Sequence, residues 1–256
     1  MYKGIIRVFP SRTSFTPTDP WAFVGWPPLL RPVELVKEVR VSCVFTWHKE
    51  KAEQLRAAWS ECYPKVLLGG PAYGGPADDF IPGVYVKEGI TFTSRGCNHR
   101  CPWCLVPERE GKLRLLEPQP GHTIQDNNLL QTGRPHMRKV FTMLRQQRQA
   151  ATFSGGLEAA LIDDWVADEL KGLRIAQVFL ACDTNGAVKV LEKALSKLSF
   201  LPKSKLRCYV LLGFNNESLE NGLARLRRVW EMGALSFAQL FQPPERFIRY
   251  PPSWRR

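Results

Sequence analysis

GITFTSRGCNHRCPWCLVPEREGK, residues 89–112, is the stretch on which the fold turns. Its opening, ITFTS (90–94), is β-branched and apolar and reads as a strand. The next ten residues hold Cys97, Cys101 and Cys104 within a span of eight, at the spacing Cys-x3-Cys-x2-Cys. Three thiolates so close on one loop suit a single metal centre, and soft sulfur ligands favour zinc or an iron–sulfur cluster. A structural zinc site wants a fourth ligand. His99 lies between two of the cysteines and would have to fold back on them, His122 stands at the start of a strand, and no second Cys-x2-Cys pair appears.

Downstream, five more strand-like runs alternate with helical ones: HTIQD (122–126), ATFSG (151–155), AQVFLAC (176–182), LRCYVLLGF (206–214) and ALSFAQLF (234–241), with helical periodicity near 134–149, 158–171, 186–199 and 217–232. Parallel strands need crossover connections, so this alternation predicts an α/β protein with a parallel sheet. The near-continuous apolar runs predict strands buried on both faces. Six such strands make a partial β/α barrel, in which chemistry gathers at the carboxyl ends of the strands.

Upstream, residues 1–40 contain Pro10, Pro17, Pro20, Pro27, Pro28 and Pro32. That density predicts an extended arm, pinned by Trp21, Phe23 and Trp26, with neither a long helix nor a central strand. VRVSCVF (39–45) then reads as a strand and HKEKAEQLRAAWSECY (48–63) as a helix with Ala52, Leu55, Ala58, Trp59 and Cys62 on one face. KVLLGGPAYGGPADD (65–79) reads as a short strand entering a Gly/Pro loop, which completes a small β-α-β unit. The expected organisation is an N-terminal arm and β-α-β unit over 1–87, a core over 88–245, and a basic tail over 246–256.

Composition narrows the classes. With 44% hydrophobic and 23% charged residues the chain is globular rather than disordered. There is no apolar run of the roughly 18 residues that a membrane span needs. The opening MYKGIIRVFPSRTSF lacks the apolar core of a secretory signal, so a cytoplasmic location is expected. Seven cysteines is an odd number, and Cys43, Cys62, Cys182 and Cys208 are scattered, which fits a reducing compartment with a metal site better than a disulfide framework. The net charge of +12 points to an acidic partner, such as a nucleotide, a nucleic acid or a phosphorylated cofactor, against the plainer reading of solvated basic faces.

The cysteine spacing, with the aromatic Trp103 just before the last cysteine and a strand just before the first, resembles the signature of the radical S-adenosylmethionine (SAM) superfamily, over residues 88–245. The resemblance implies a partial (β/α)6 barrel and a [4Fe-4S] cluster on Cys97, Cys101 and Cys104. Its open iron would chelate the amino and carboxylate groups of S-adenosyl-L-methionine. An electron from an external donor of flavodoxin or ferredoxin type then cleaves the sulfonium, and the resulting 5′-deoxyadenosyl radical takes hydrogen from a substrate. By the same resemblance Trp103 packs beside the adenine, and the strand end IQDNNLL offers Asp126 first, then Asn127 and Asn128, to the amino group. Gly155 and Glu158 in SGGLE, and Asp183 after the fourth strand, are further cofactor candidates. Gly213 and Phe214 match the strand end beside the adenine, although Asn215 replaces the proline of that motif. For Asp126, Asp183 and their neighbours the alternative is a helix cap or an Asx turn.

Arg95 and Arg100 flank the cluster and read most simply as exposed, and the lone histidines His48, His122 and His136 as structural. The segment ending in Gly69-Gly70-Pro71 resembles the tail of a cobalamin-binding domain, but the lower-ligand motif D-x-H-x-x-G is absent, so no cobalamin is expected. The ending FIRYPPSWRR is basic and aromatic; it suits contact with nucleic acid, or a frayed tail, the simpler expectation. A nucleotide or nucleic-acid derivative is the first expectation for the substrate. The rival is a non-enzymatic nucleic-acid-binding module built on a zinc-bound cysteine knuckle.

Overall fold

The computed structural model describes residues 4–32, 35–74, 80–243 and 247–254. The chain forms two compact units, one ending at Ile90 and the other beginning at Thr91.

The first unit contains β1 (Ile5–Phe9), β2 (Ala22–Val24), β3 (Glu38–Ser42), α1 (Lys49–Ser60) and β4 (Val66–Gly69). Its four strands are all parallel, in the order β2-β1-β3-β4. β3, α1 and β4 are the β-α-β unit read from the sequence. β1 overturns the extended arm, because it lies between two partners as an interior strand. The physical reason is local: IIRVF ends before Pro10, so no proline ring interrupts its ladder, while the proline-flanked AFV stays at the edge. Trp59 is fully buried in this core, its ring 5.4 Å from Phe23 and its indole donating to the Gly25 carbonyl at 3.1 Å. Phe23 is thus an anchor, as expected, whereas Trp26 remains exposed.

The second sheet begins with β5 (Ile90–Thr91). A short antiparallel pair comes next, β6 (Ser94–Arg95) with β7 (Arg114–Leu115), and between its strands runs the cysteine loop with its short helix α2 (Val106–Arg109). Then β8 (Thr123–Ile124), α3 (Arg134–Arg145), β9 (Ala151–Phe153), α4 (Asp164–Lys171), β10 (Ile175–Ala181), α5 (Ala187–Lys197), β11 (Leu206–Leu212), α6 (Leu219–Glu231) and β12 (Leu235–Leu240) alternate. The six-stranded sheet runs β12-β11-β10-β9-β8-β5, so each strand lies beside its predecessor in the series, and β8 through β12 are parallel. The helices α3, α4, α5 and α6 are the crossovers that parallel pairing requires. They bury one stripe each, as in α3, where Met137, Val140, Phe141 and Leu144 recur at helical spacing.

Burial on both faces of this sheet does not hold. In β11, Leu206, Cys208, Val210 and Leu212 are buried, while Arg207, Tyr209 and Leu211 between them are only half-buried. The more open face carries an aromatic row, with Phe179 stacked on Tyr209 at 4.8 Å and Tyr209 edge-on to Phe237 at 5.7 Å. Aromatic and aliphatic letters read alike as an apolar run, and that hid the alternation. The C-terminal ending also departs from the frayed tail. The Gln242 side chain clasps Ile248, accepting from its N–H at 2.8 Å and donating to its carbonyl at 3.1 Å. The Tyr250 hydroxyl donates to the Phe241 carbonyl at 2.8 Å, and Trp254 packs on the second core. Among the described residues no helix is long and apolar enough to cross a membrane.

Candidate functional site at the cysteine loop

The loop is fixed at its base. The Cys97 N–H donates to the Gly111 carbonyl at 3.2 Å, and β6 pairs with β7 on either side. Gly96 has φ +79°, and a Cβ there would lie 2.2 Å from the Lys112 carbonyl oxygen, so only glycine closes this neck. Its N–H donates to Asn127 Oδ1 at 3.0 Å.

Asp126 sits behind this neck, fully buried. One oxygen accepts from the Thr93 N–H at 2.6 Å, and the other accepts from the Thr93 and Ser94 hydroxyls at 2.6 and 2.7 Å. Burial pushes its carboxyl above the usual range, and those donors pull against that shift. This corrects the expectation for Asp126: the carboxylate faces the strand that launches the loop, and its acceptors are already engaged. Gly155 is corrected likewise. A Cβ at Gly155 would lie 2.1 Å from the Asp126 carbonyl oxygen, so the missing side chain admits the neighbouring strand end, not a ligand.

Around Cys97 the carboxyl ends of β8 and β9 form a polar cradle. Glu158 accepts from Asn128 Nδ2 at 2.7 Å and Gln131 Nε2 at 3.1 Å, and its other oxygen lies 2.8 Å from His99 Nε2. Burial alone would raise the Glu158 carboxyl, but the hydrogen bonds from His99, Asn128 and Gln131 outweigh it and hold the group below its ordinary value. Gln131 Oε1 accepts from the Asn98 N–H at 2.9 Å and lies 3.7 Å from Cys97 Sγ, and Asn128 Nδ2 lies 4.0 Å from the same sulfur. Asn128 is buried, and its Oδ1 has no hydrogen-bond partner among the described residues. A buried acceptor left so is costly, which marks it as a seat for a donor.

On the other side stand Cys101 and Cys104. Burial raises both thiols, and the neighbouring thiols and Asp183 raise them further. Burial also raises the Asp183 carboxyl, opposed by the Leu211 N–H at 3.3 Å and the Trp103 indole, which donates to it. The Trp103 ring stands edge-on to Phe214 at 5.4 Å, and Phe214 edge-on to Phe241 at 5.0 Å. At Gly213 a Cβ would lie 2.6 Å from the Tyr250 ring, so the C-terminal segment packs closely against this strand end.

The structure therefore brings Asn128 to Cys97, Asn127 to the Gly96 neck and Glu158 to Asn128, Gln131 and His99, and it joins Trp103 to both Asp183 and Phe214. All seven cysteines are free thiols. Among the described residues no group of three or more His, Cys, Asp or Glu side chains is placed to hold a metal ion. Sequence reasoning missed Gln131, Thr93, Ser94 and the role of His99. Gln131 had a readable signal: it lies three residues after Asn128 across the 3-10 turn Leu129–Thr132, and that spacing stacks side chains on one side. Arg95, expected in solvent, has its guanidinium 3.7 Å over the Phe92 ring and 3.9 Å from Glu110, with the side chain mostly covered. No protein-family model matches the chain, and no curated protein matches it.

Proposed function

We propose that the protein is a radical SAM enzyme with a [4Fe-4S] cluster on Cys97, Cys101 and Cys104, its sheet curved as a partial (β/α)6 barrel. The observation that carries this reading is the buried Asn128 amide, whose Nδ2 lies 4.0 Å from Cys97 Sγ and donates to Glu158 at 2.7 Å, and whose Oδ1 has no hydrogen-bond partner among the described residues. That oxygen is an acceptor without a donor, and it suits an ammonium group, the part of S-adenosyl-L-methionine that approaches the cluster. The chemistry such a cluster supplies when bound is one electron, received from a flavodoxin- or ferredoxin-type donor and passed to the sulfonium.

The chain's own residues orient and enclose. Gln131 and His99 hold the loop to Glu158, Asn127 holds its neck, and Asp126 fixes the strand beneath it. Trp103, Asp183 and Phe214 form the wall on which an adenosine would rest, aromatic on one part and acidic on another. A single tetrahedral zinc needs its ligands gathered on one point, whereas a cluster takes each thiolate on a different iron, so metal stoichiometry separates this reading from the zinc knuckle. Free thiols throughout suit a reducing compartment, and the cytoplasm is part of the proposal.

Anaerobic purification with iron, sulfide and zinc analysis tests it. The expected result is about four irons per chain with matching sulfide, and 5′-deoxyadenosine formed from SAM under dithionite. Cys101→Ala should abolish both. One zinc per chain, or full turnover in Cys101→Ala, overturns the reading.

A further inference from the structure

The open face of the second sheet carries chemistry that the cysteine loop does not use. The register pairs Phe179 on β10 with Arg207 on β11, and Arg207 and Tyr209 with Leu235 and Phe237 on β12. Residues paired in this way share a face, so all five stand on one side of the sheet, while Cys208 and Val210 point to the buried side. The Tyr209 ring is fixed there: Phe179 stacks on it at 4.8 Å, and its hydroxyl donates to the Ser154 carbonyl at 3.0 Å. Phe237 meets Tyr209 edge-on at 5.7 Å, makes no other ring contact among the described residues, and is 50% exposed.

Arg207 is the only charged residue in strands β8 to β12. It is half-buried, and its Nε and Nη2 donate to the Gln177 amide oxygen at 3.2 and 3.1 Å. No carboxylate pairs with it among the described residues. A guanidinium drawn partly out of water and held by a neutral amide keeps its charge uncompensated. Gln177 occupies one edge of the fork and leaves the Nη1 group for an outside acceptor.

We infer that this face is the seat of an aryl carboxylate, a flat ring that bears its acid group directly. The carboxylate lies on Arg207, and the ring lies against Phe237, beside the Phe179–Tyr209 stack. Strand geometry sets the Cα atoms of Arg207 and Phe237 about 8 Å apart, so one ring and its acid group meet both. The planar fork of arginine matches a carboxylate, and a ring pairs with a ring offset or edge-on. An uncharged aromatic leaves Arg207 unmatched, and an aliphatic acid leaves Phe237 to water. A phosphate carries nearly two charges at neutral pH and calls for further donors, and no second cation stands on these strands. A strand rises about 3.3 Å per residue, which puts Arg207 about 17 Å from the end of β11 at Leu212. The aryl carboxylate is therefore the distal, recognised part of a longer molecule whose reacting part lies at the strand ends, where Trp103 meets Asp183. As an identification of the enzyme's substrate the inference rests on the radical SAM reading, but the binding itself does not need the cluster.

The test is isothermal titration of the full-length protein, purified anaerobically, with 2-naphthoate as the probe. Binding is expected, with two relatives each roughly tenfold weaker: naphthalene-2-methanol, which keeps the rings without the charge, and cyclohexanecarboxylate, which keeps the charge without the ring. Arg207→Gln should weaken 2-naphthoate roughly tenfold and leave naphthalene-2-methanol unchanged, a split that a loosened sheet does not produce. Phe237→Leu keeps the apolar bulk and removes the ring, so it should weaken both aromatic probes roughly threefold and spare cyclohexanecarboxylate. No binding of 2-naphthoate, equal affinities for the three probes, or wild-type affinity in either variant overturns the inference. Displacement of 2-naphthoate by AMP at equal concentration would reassign the face to nucleotides and overturn it as well. Iron, sulfide and zinc are measured on the same preparations. A chain that holds iron but no 2-naphthoate sinks this inference and leaves the cluster reading standing, whereas 2-naphthoate bound by a chain that holds one zinc supports the seat and sinks the cluster reading.

Discussion

Glycine positions, more than charged ones, set how closely the strand ends beside the cysteine loop can pack. Gly155 lets the end of β9 rest on the Asp126 backbone, where a methyl group would meet an oxygen at 2.1 Å. A backbone contact cannot rotate away as a side chain can. Gly155→Ala is therefore expected to cost about 2 kcal/mol or more, read as a lower urea midpoint with an unchanged slope. It should also loosen the loop, because Asp126 is the residue that holds Thr93 and Ser94. The cysteines, Asn128 and Glu158 were legible in the sequence because their letters fall at strand ends at readable spacings. The direction of Asp126 was not, since a carboxylate facing two hydroxyls and one facing an ammonium are written with the same letter.

The helices of the second unit were legible as elements because their apolar stripes repeat over several turns, while β6 and β7, two residues each, are too short to show any period. β1 was misread because a count of prolines says nothing of where they stop. Two devices hold the elements in place. Asp163 caps α4, accepting from the Val166 N–H at 2.8 Å, and also meets Arg134 at 2.8 Å. Asp163→Ala should cost about 1 kcal/mol at neutral pH. The Val166 N–H and the Arg134 guanidinium hold the Asp163 carboxyl below its ordinary value. Its contribution is thus full above the usual aspartate range and fades as pH falls through the lower folded value, so the gap between variant and wild type should narrow in acid. The second device is the ion pair of Arg225 and Glu217 at the end of β11, with the arginine side chain only 3% exposed. Arg225→Met strands a carboxylate and should cost about 3 kcal/mol in thermal or urea unfolding. Adding Glu217→Met should return part of that loss, because a buried pair replaced by apolar side chains loses less than a broken one.

Across the molecule, the alternation of strands and helices foretold the parallel order of the second sheet, but the boundary between units and the seating of the C-terminal segment depend on which apolar residues meet, which no local pattern encodes. The two units have separate cores. One is centred on Trp59, Ile6, Val39 and Leu55, the other on Phe141, Phe153, Val178 and Val210, and the two sets of buried residues have no member in common. Damage to one core should therefore be read locally. Trp59 is fully buried, and its indole also holds the Gly25 carbonyl, so Trp59→Ala removes a large ring and a hydrogen bond together. The expected cost is about 3–5 kcal/mol to the first unit. In hydrogen exchange followed by mass spectrometry, protection should fall over β1, β3, α1 and β4 and persist over β9 to β12. Equal loss of protection across both sheets would show that the two cores unfold as one.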